Sequence, residues 1–283
     1  MQESIEFSKY CDYNECFKDY DLVRRPFGVN EILEILRLVH ASLNDLVLLE
    51  GGFGTGAYTS ILANYVGKIY GIEASTTGYR KAVEKLKNRS NVVLSIGNIL
   101  ELKFPENFFD AYLVNQVIHH LDDSEDYPNL TIFLKEAYRV LKPGGVLIVN
   151  TCDRQHIDPD DGAFWHYKYM RKAALLLQKK YIPIADLIRR MMESGFEKPE
   201  LKVPTGKIFD DAYYNDPTVA LKPEFHKGDS AYSLLSRSEL EETNRLLKRA
   251  IEDRSVFREM RRAAKRAEEI GEAVIIFCKK VPR

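Results

Sequence analysis

The sequence offers no disulfide framework. Its four cysteines, Cys11, Cys16, Cys152 and Cys278, form no C-x-x-C pair. A chain of 283 residues can bury a core without such staples, so a reducing, cytoplasmic setting is expected. An excess of one charge is missing as well. The formal net charge is −1, which leaves no global field to recruit nucleic acid or an anionic membrane. No apolar run approaches the length of a membrane span. The opening MQESIEFSKY has acids and no apolar centre, and is not expected to act as a signal peptide. With 45% hydrophobic and 29% charged residues, the remainder is the composition of a soluble globular protein.

Periodicity divides the chain in two. From about Asn30 to Thr151, apolar runs alternate with helical patterns: DLVLLEG, KIYGIEAS, NVVLSIGN, FDAYLVNQ and GVLIVNT read as strands. AYTSILANYVG, GYRKAVEKLKNRS and NLTIFLKEAYRVLKPGG read as helices, the last stopped by the turn KPGG. Strands alternating with helices predict parallel βαβ units and a doubly wound α/β sheet. After Thr151 the pattern becomes helical and aromatic. EKPELKV is a weak strand, a long helical region runs from Arg237 to Ile270, and EAVIIFCKK is a terminal strand. Residues 1–30 are expected to form a helical arm over the site and 31–152 the ligand-binding core. Residues 153–283 are expected to cover the ligand edge and complete the same sheet.

The stretch VLLEGGFGTGAYTSIL places Gly51, Gly52, Gly54 and Gly56 between a strand and a helix. Glycines at a strand's carboxyl end permit a tight turn and close backbone approach to a ligand. With Ala57 the loop also satisfies G-x-G-x-x-A, the dinucleotide fingerprint. Glu50 weighs against that ligand. A carboxylate at the strand end repels a pyrophosphate and attracts an ammonium group, which favours a cofactor bearing an amino acid. Glu73 ends the second strand, twenty-one residues after Gly52, where it can accept hydrogen bonds from both ribose hydroxyls. In GNIL, Asn98 can accept from an adenine amine, and Ile99 can offer its backbone N–H.

These motifs carry a resemblance. LKFPENFFDAYLVNQVIHHLDD resembles the fourth-strand segment of class I S-adenosylmethionine-dependent methyltransferases. EGGFGTG resembles their first motif, and LKEAYRVLKPGGVLIVN their fifth-strand segment. The likeness covers roughly Leu46 to Asn150. It implies a seven-stranded Rossmann-like sheet with helices on both faces and a helical lid over the ligand edge. It implies S-adenosylmethionine as cofactor, with Glu50 and the Gly52–Gly56 loop at its methionine end. Glu73 would then lie at the ribose, Ala74 beside the adenine, Asn98 on the adenine amine, and the Asn115 backbone at the ammonium. Two departures bear on the site: Phe53 stands where a small residue is usual, and Asn115-Gln116 replace small or apolar residues. The two amides would lie near the reacting centre, where they could orient a polar substrate or only cap the strand. His119 and His120 are read as part of the helix entry. In the arm, Tyr20 and Arg24 are candidates for lining or closing the site.

Methyl transfer is an in-line displacement that needs alignment, exclusion of water and, for some nucleophiles, removal of a proton. FWHYKYM supplies the candidate substrate residues Trp165, His166, Tyr167 and Tyr169, or else an amphipathic helix burying aromatics. His166 or His156 could be a general base. The expected catalytic group is therefore Asn115, Gln116, His166 and Tyr20. No metal site is expected, since HIDPDDG reads as a solvated acidic turn. The stripe Arg254, Arg258, Arg262 and Arg266 is interleaved with glutamates and reads as an ion-paired face. The expected partner is a small molecule, with no nucleic acid and no membrane, and the chain a monomer or homodimer. Two other activities remain open. One breaks the aminocarboxypropyl C–S bond of the same cofactor, by transfer or ring closure, and releases methylthioadenosine. The other is NAD-dependent oxidoreduction.

Overall fold

The computed structural model describes residues 11–282. Among them seven strands form one sheet. These are β1 (Val47–Gly51), β2 (Lys68–Glu73), β3 (Val92–Ile96), β4 (Phe109–Asn115), β5 (Leu141–Thr151), β6 (Glu200–Lys202) and β7 (Val274–Lys279). Their order is β3-β2-β1-β4-β5-β7-β6. Strands β1 to β5 run parallel, and β7 lies antiparallel between β5 and β6. The chain walks outward from β1 to β3, then returns to lay β4 on the other side of β1. That reversal opens a crevice at the carboxyl ends of β1 and β4, where such sheets take their ligands.

Apolar residues occupy successive positions along the central strands because both faces are covered. Leu48, Leu113 and Ile148 pack with Ile32, Ile35 and Leu36 of the helix Val29–Arg37. Their neighbours Leu49, Tyr112, Val114 and Leu147 pack with Phe133 and Leu134 of the helix Pro128–Val140. The doubly wound sheet read from the alternation is the one observed. A third cluster joins Phe164 and Tyr167 to Phe209, Tyr213 and Phe225, with Val23 and Phe27 of the N-terminal arm. Aromatic burial in the second half of the chain thus builds a cover held to the arm.

Two segments differ from the periodicity. The fifth strand begins at Leu141 rather than after KPGG, because Phe109 pairs with Leu141 and Ala111 with Val146. Residues 142–145 bulge opposite Asp110, and Lys142 Nζ clamps the bulge to Asp110 Oδ1 at 2.7 Å. The late helical region splits into Arg237–Glu252 and Val256–Ile270. Asp253 Oδ1 accepts the Ser255 N–H at 2.9 Å, and Arg254 takes φ 64°, which ends the first helix. Ser236 and Glu239 start that helix with a capping box.

Phe133 is fully buried beneath the sheet, its ring 5.6 Å from that of Tyr112. Phe133→Ala should lower unfolding free energy by about 3–5 kcal/mol in urea titrations, from lost transfer energy plus the cavity left behind.

Candidate functional site

A cavity of about 170 Å³ lies at the carboxyl ends of β1, β2 and β4. One water needs only about 10–15 Å³ of such space, so the cavity has room for a ligand. Its floor is the glycine loop. Gly52 has φ 68°, and a Cβ there would stand 2.5 Å from Val117 Cγ2. Gly56 has φ 75° and serves as N-cap of the helix Ala57–Leu62. The loop therefore excludes side chains both for its own conformation and for the close passage of the segment after β4.

The arm lies across this loop. Asp21 Oδ1 accepts the Thr55 hydroxyl at 2.5 Å, and Asn14 Oδ1 accepts that of Ser75 at 2.8 Å. Tyr13 hydrogen-bonds through its hydroxyl to His120 Nε2, joining the arm to the segment after β4. Opposite, Cys152, Phe164, Tyr167, Tyr181 and Phe209 close the cavity from the second half of the chain.

Two carboxylates face the cavity from neighbouring strand ends. Glu50 is buried, with Oε2 accepting the Thr59 hydroxyl at 2.6 Å. Burial pushes its pKa up to about 7, opposed by Thr59 and assisted by the charge of Glu73. Glu73 accepts the Gly54 N–H at 2.7 Å and the Ser75 N–H at 2.8 Å. Burial raises its pKa too, against those backbone donors. A carboxylate has about four acceptor positions, so Glu73 retains capacity for ligand hydroxyls.

Where β4 ends, several hydrogen-bonding groups have no partner among the described residues. Both side-chain amide atoms of Asn115 are buried and unpartnered, as are Gln116 Nε2 and His119 Nδ1. Gln116 has φ 53°, an unfavourable conformation for a residue with a side chain. His119 stacks on Tyr181 with ring centroids 4.4 Å apart. Burial holds its pKa well below the usual imidazole value, so it is a neutral base. His120 is likewise lowered, to about 3, chiefly by burial.

Arg24 and Asp229 also line the cavity. Asp229 is buried and accepts from His166 Nε2 at 2.9 Å, the Tyr167 hydroxyl at 3.2 Å and the Ala231 N–H at 3.0 Å. Burial works to raise its pKa, but His166 and Arg24 outweigh it and hold it at about 2.

The cavity brings together Tyr20, Arg24, Glu50, Gly52, Gly54, Glu73, Ala74, Ile99, Asn115, Gln116 and Tyr167. Other expected residues stand behind its walls. Gly51 and Gly56 shape the loop from within. Asn98 lies outside the cavity lining, and its Oδ1 accepts the Leu100 N–H at 2.7 Å. Trp165 is stacked on Tyr213, and Tyr169 packs on the outside of the aromatic cluster. His166 spends both nitrogens, Nδ1 on the Tyr213 hydroxyl at 2.8 Å and Nε2 on Asp229, and does not reach the cavity as a free base. His119 and Asp229 line it instead. His119 was visible as half of the HH pair. Asp229, in HKGDSAY, gave no sequence signal.

Residues 49–149 match a family model described as a methyltransferase domain. Over 100 residues the chain is 35% identical to a demethylmenaquinone methyltransferase of Geobacillus stearothermophilus, covering 34% of this chain and 40% of that one. Over 188 residues it is 26% identical to a phosphoethanolamine N-methyltransferase of Plasmodium falciparum, covering 64% of this chain and 67% of that one. In structure it is similar to a putative methyltransferase from an antibiotic biosynthesis pathway of Anabaena variabilis. There the TM-score is 0.69 at 20% identity, over 90% of this chain and 98% of the other. The chain spans only about 40% of the length of the demethylmenaquinone methyltransferases that it matches.

Glu50 supplies a test of the cradle. A ligand ammonium needs the ionised carboxylate, and the free protein holds its pKa at about 7. Binding should therefore release a proton, and affinity should rise with pH up to about 7. In calorimetry with S-adenosylmethionine between pH 5.5 and 7, wild-type affinity should change by up to about tenfold per unit, and Glu50→Gln should bind weakly without that slope. A pH-independent wild-type affinity would argue against Glu50 as the ammonium partner.

Proposed function

We propose that this chain, which carries a class I S-adenosylmethionine-dependent methyltransferase domain, moves the cofactor's methyl group to a polar nucleophile of a small molecule. The observation that carries this reading is the set of unpartnered groups at the end of β4: the Asn115 amide, Gln116 Nε2 and His119 Nδ1. A buried polar group without a partner costs about 1–3 kcal/mol, and here three residues hold such groups around one cavity. They suit a substrate that brings hydrogen-bonding atoms of its own.

The residues present fit the cofactor. The loop around Gly52 presents backbone to the cavity, and Glu50 and Glu73 are buried carboxylates that line it. Glu50 would take the ammonium, Glu73 the ribose hydroxyls, and Ala74 and Ile99 would lie along the adenine. When bound, the cofactor supplies an electrophilic methyl group on a sulfonium with a good leaving group. The protein's part is positioning. Gln116 and Asn115 would orient the nucleophile by hydrogen bonds, and His119 would accept its proton. His166 would act through Asp229, fixing the carboxylate that holds the Tyr167 hydroxyl. The arm, through Tyr13 and His120, would close the cavity against water, with Tyr20 and Phe17 as its apolar face.

The wider reading follows from the same features. No helix among the described residues is long and apolar enough to cross a membrane. Arg258 and Arg262 pair with Glu259, and Arg266 with Glu269, which supports an ion-paired helix face over a nucleic-acid contact. A small-molecule enzyme of the reducing cytoplasm, monomeric or homodimeric, is the proposal. Residues 1–30 and 153–283 would be the covers that select its substrate over the core 31–152.

Product mass spectrometry tests the reaction. Incubation with S-adenosylmethionine and a metabolite extract should yield S-adenosylhomocysteine and a partner heavier by one methyl replacing one hydrogen. Methylthioadenosine above the enzyme-free control would mean that the aminocarboxypropyl C–S bond breaks instead. With the acceptor so found, His119→Gln should lower kcat by about 10²–10⁴-fold, the range for general-base catalysis, with cofactor affinity unchanged.

A further inference from the structure

The geometry points to an anion subsite on the cavity wall formed by the arm, where Arg24 takes a carboxylate or phosphate group of the substrate. This rests on the methyl-transfer reading above and narrows its substrate class to acidic small molecules. Arg24 is held in place by its surroundings. Its backbone bridges to Phe209, its Nε donates to the Gly228 carbonyl at 2.8 Å, and its guanidinium carbon lies 4.1 Å from the Phe209 ring centroid. The plane of the fork is fixed before any ligand arrives, which lowers the entropy lost on binding.

What Arg24 lacks is an acceptor for its two terminal nitrogens. The nearest carboxylate, Asp229, stands 3.7 Å from Nη2, beyond hydrogen-bonding distance. Asp229 is already supplied by His166, Tyr167 and the Ala231 N–H. Its charge balances Arg24 across the gap, while its hydrogen bonds go to those other donors. Among the described residues no protein atom accepts a hydrogen bond from Nη1 or Nη2 of Arg24. A part-buried guanidinium with unspent donors matches a planar, bidentate anion. Tyr20 lines the same cavity, and among the described residues its hydroxyl has no protein acceptor, so it would add a neutral donor.

Charge permits this placement. Asp229 balances Arg24, so that part of the cavity is closer to neutral than the part lined by Glu50 and Glu73, and an anionic group is less disfavoured there. Gln116 and His119 line the same cavity, so a substrate anchored at Arg24 would present its nucleophile within it. Three donors from within the protein already hold Asp229.

Benzoate, phenyl phosphate and uncharged benzamide test the subsite by calorimetry on the full chain, with and without S-adenosylhomocysteine. Wild type should bind at least one of the anions about tenfold or more tighter than benzamide, the scale of a charge-assisted hydrogen bond. The preferred anion tells carboxylate from phosphate. Arg24→Gln should erase the preference while keeping its affinity for S-adenosylhomocysteine. Arg24→Lys, which keeps the charge and loses the fork, should retain a reduced preference and serves if the glutamine variant does not fold. No anion binding to wild type, benzamide binding as tightly as the anions, or an undiminished anion preference in the folded glutamine variant would each overturn the proposal. Failure of wild type to bind S-adenosylhomocysteine would count against the cofactor reading alone, since anion binding is also read on the unloaded protein.

Discussion

Glu50 and Glu73 end two adjacent parallel strands, buried, and among the described residues neither has a lysine or arginine partner. Two unneutralised carboxylates in such a site raise each other's cost and resist ionisation. Nothing in the packing of the sheet calls for them. The surrounding structure instead makes their position possible: a glycine loop that supplies the Gly54 N–H to Glu73, a Thr59 hydroxyl that supports Glu50, and an arm that lies over both. Stability is given up at this point for a ligand carrying positive charge and hydroxyl groups. The cofactor of this domain carries both.

The remainder of the site is built from outside the sheet's first half. The arm contributes Tyr20 and Arg24, and the aromatic cover contributes Tyr167, Tyr181 and Asp229. These pieces are tied to one another by the Arg24 backbone bridge to Phe209 and by the hydrogen bonds of Asp229. One cavity thus joins the buried carboxylates Glu50 and Glu73, the Asn115 and Gln116 amides, the neutral His119 and the Arg24–Asp229 pair.

How much of this was legible depended on whether a residue's role is local or long-range. Glu50, Gly52, Glu73 and Asn115 could be placed because a parallel strand's carboxyl end is recognisable from its apolar run, and the crevice follows from the topology. Asn98 follows a strand too, but an asparagine there also caps its own turn, and here its Oδ1 accepts the Leu100 N–H behind the cavity lining. Trp165, His166 and Tyr169 share a segment with Tyr167, but helical turns send neighbours to different sides, and only Tyr167 lines the cavity. Asp229 lies more than sixty residues from His166, and no periodicity announces a contact of that kind. The bulge at residues 142–145 was hidden for a related reason, since KPGG satisfies a turn and a bulge equally.

The central claim is that the paired carboxylates cradle S-adenosylmethionine. Calorimetric titration of S-adenosylhomocysteine into wild type and Glu73→Ala addresses it directly. The expected result is clear binding to wild type and a loss of about 100-fold or more in the variant, from two hydrogen bonds to a charged acceptor, with the fold intact by circular dichroism. Equal affinity in both proteins would contradict the placement of the ribose at Glu73 and, with it, the orientation of the whole cavity.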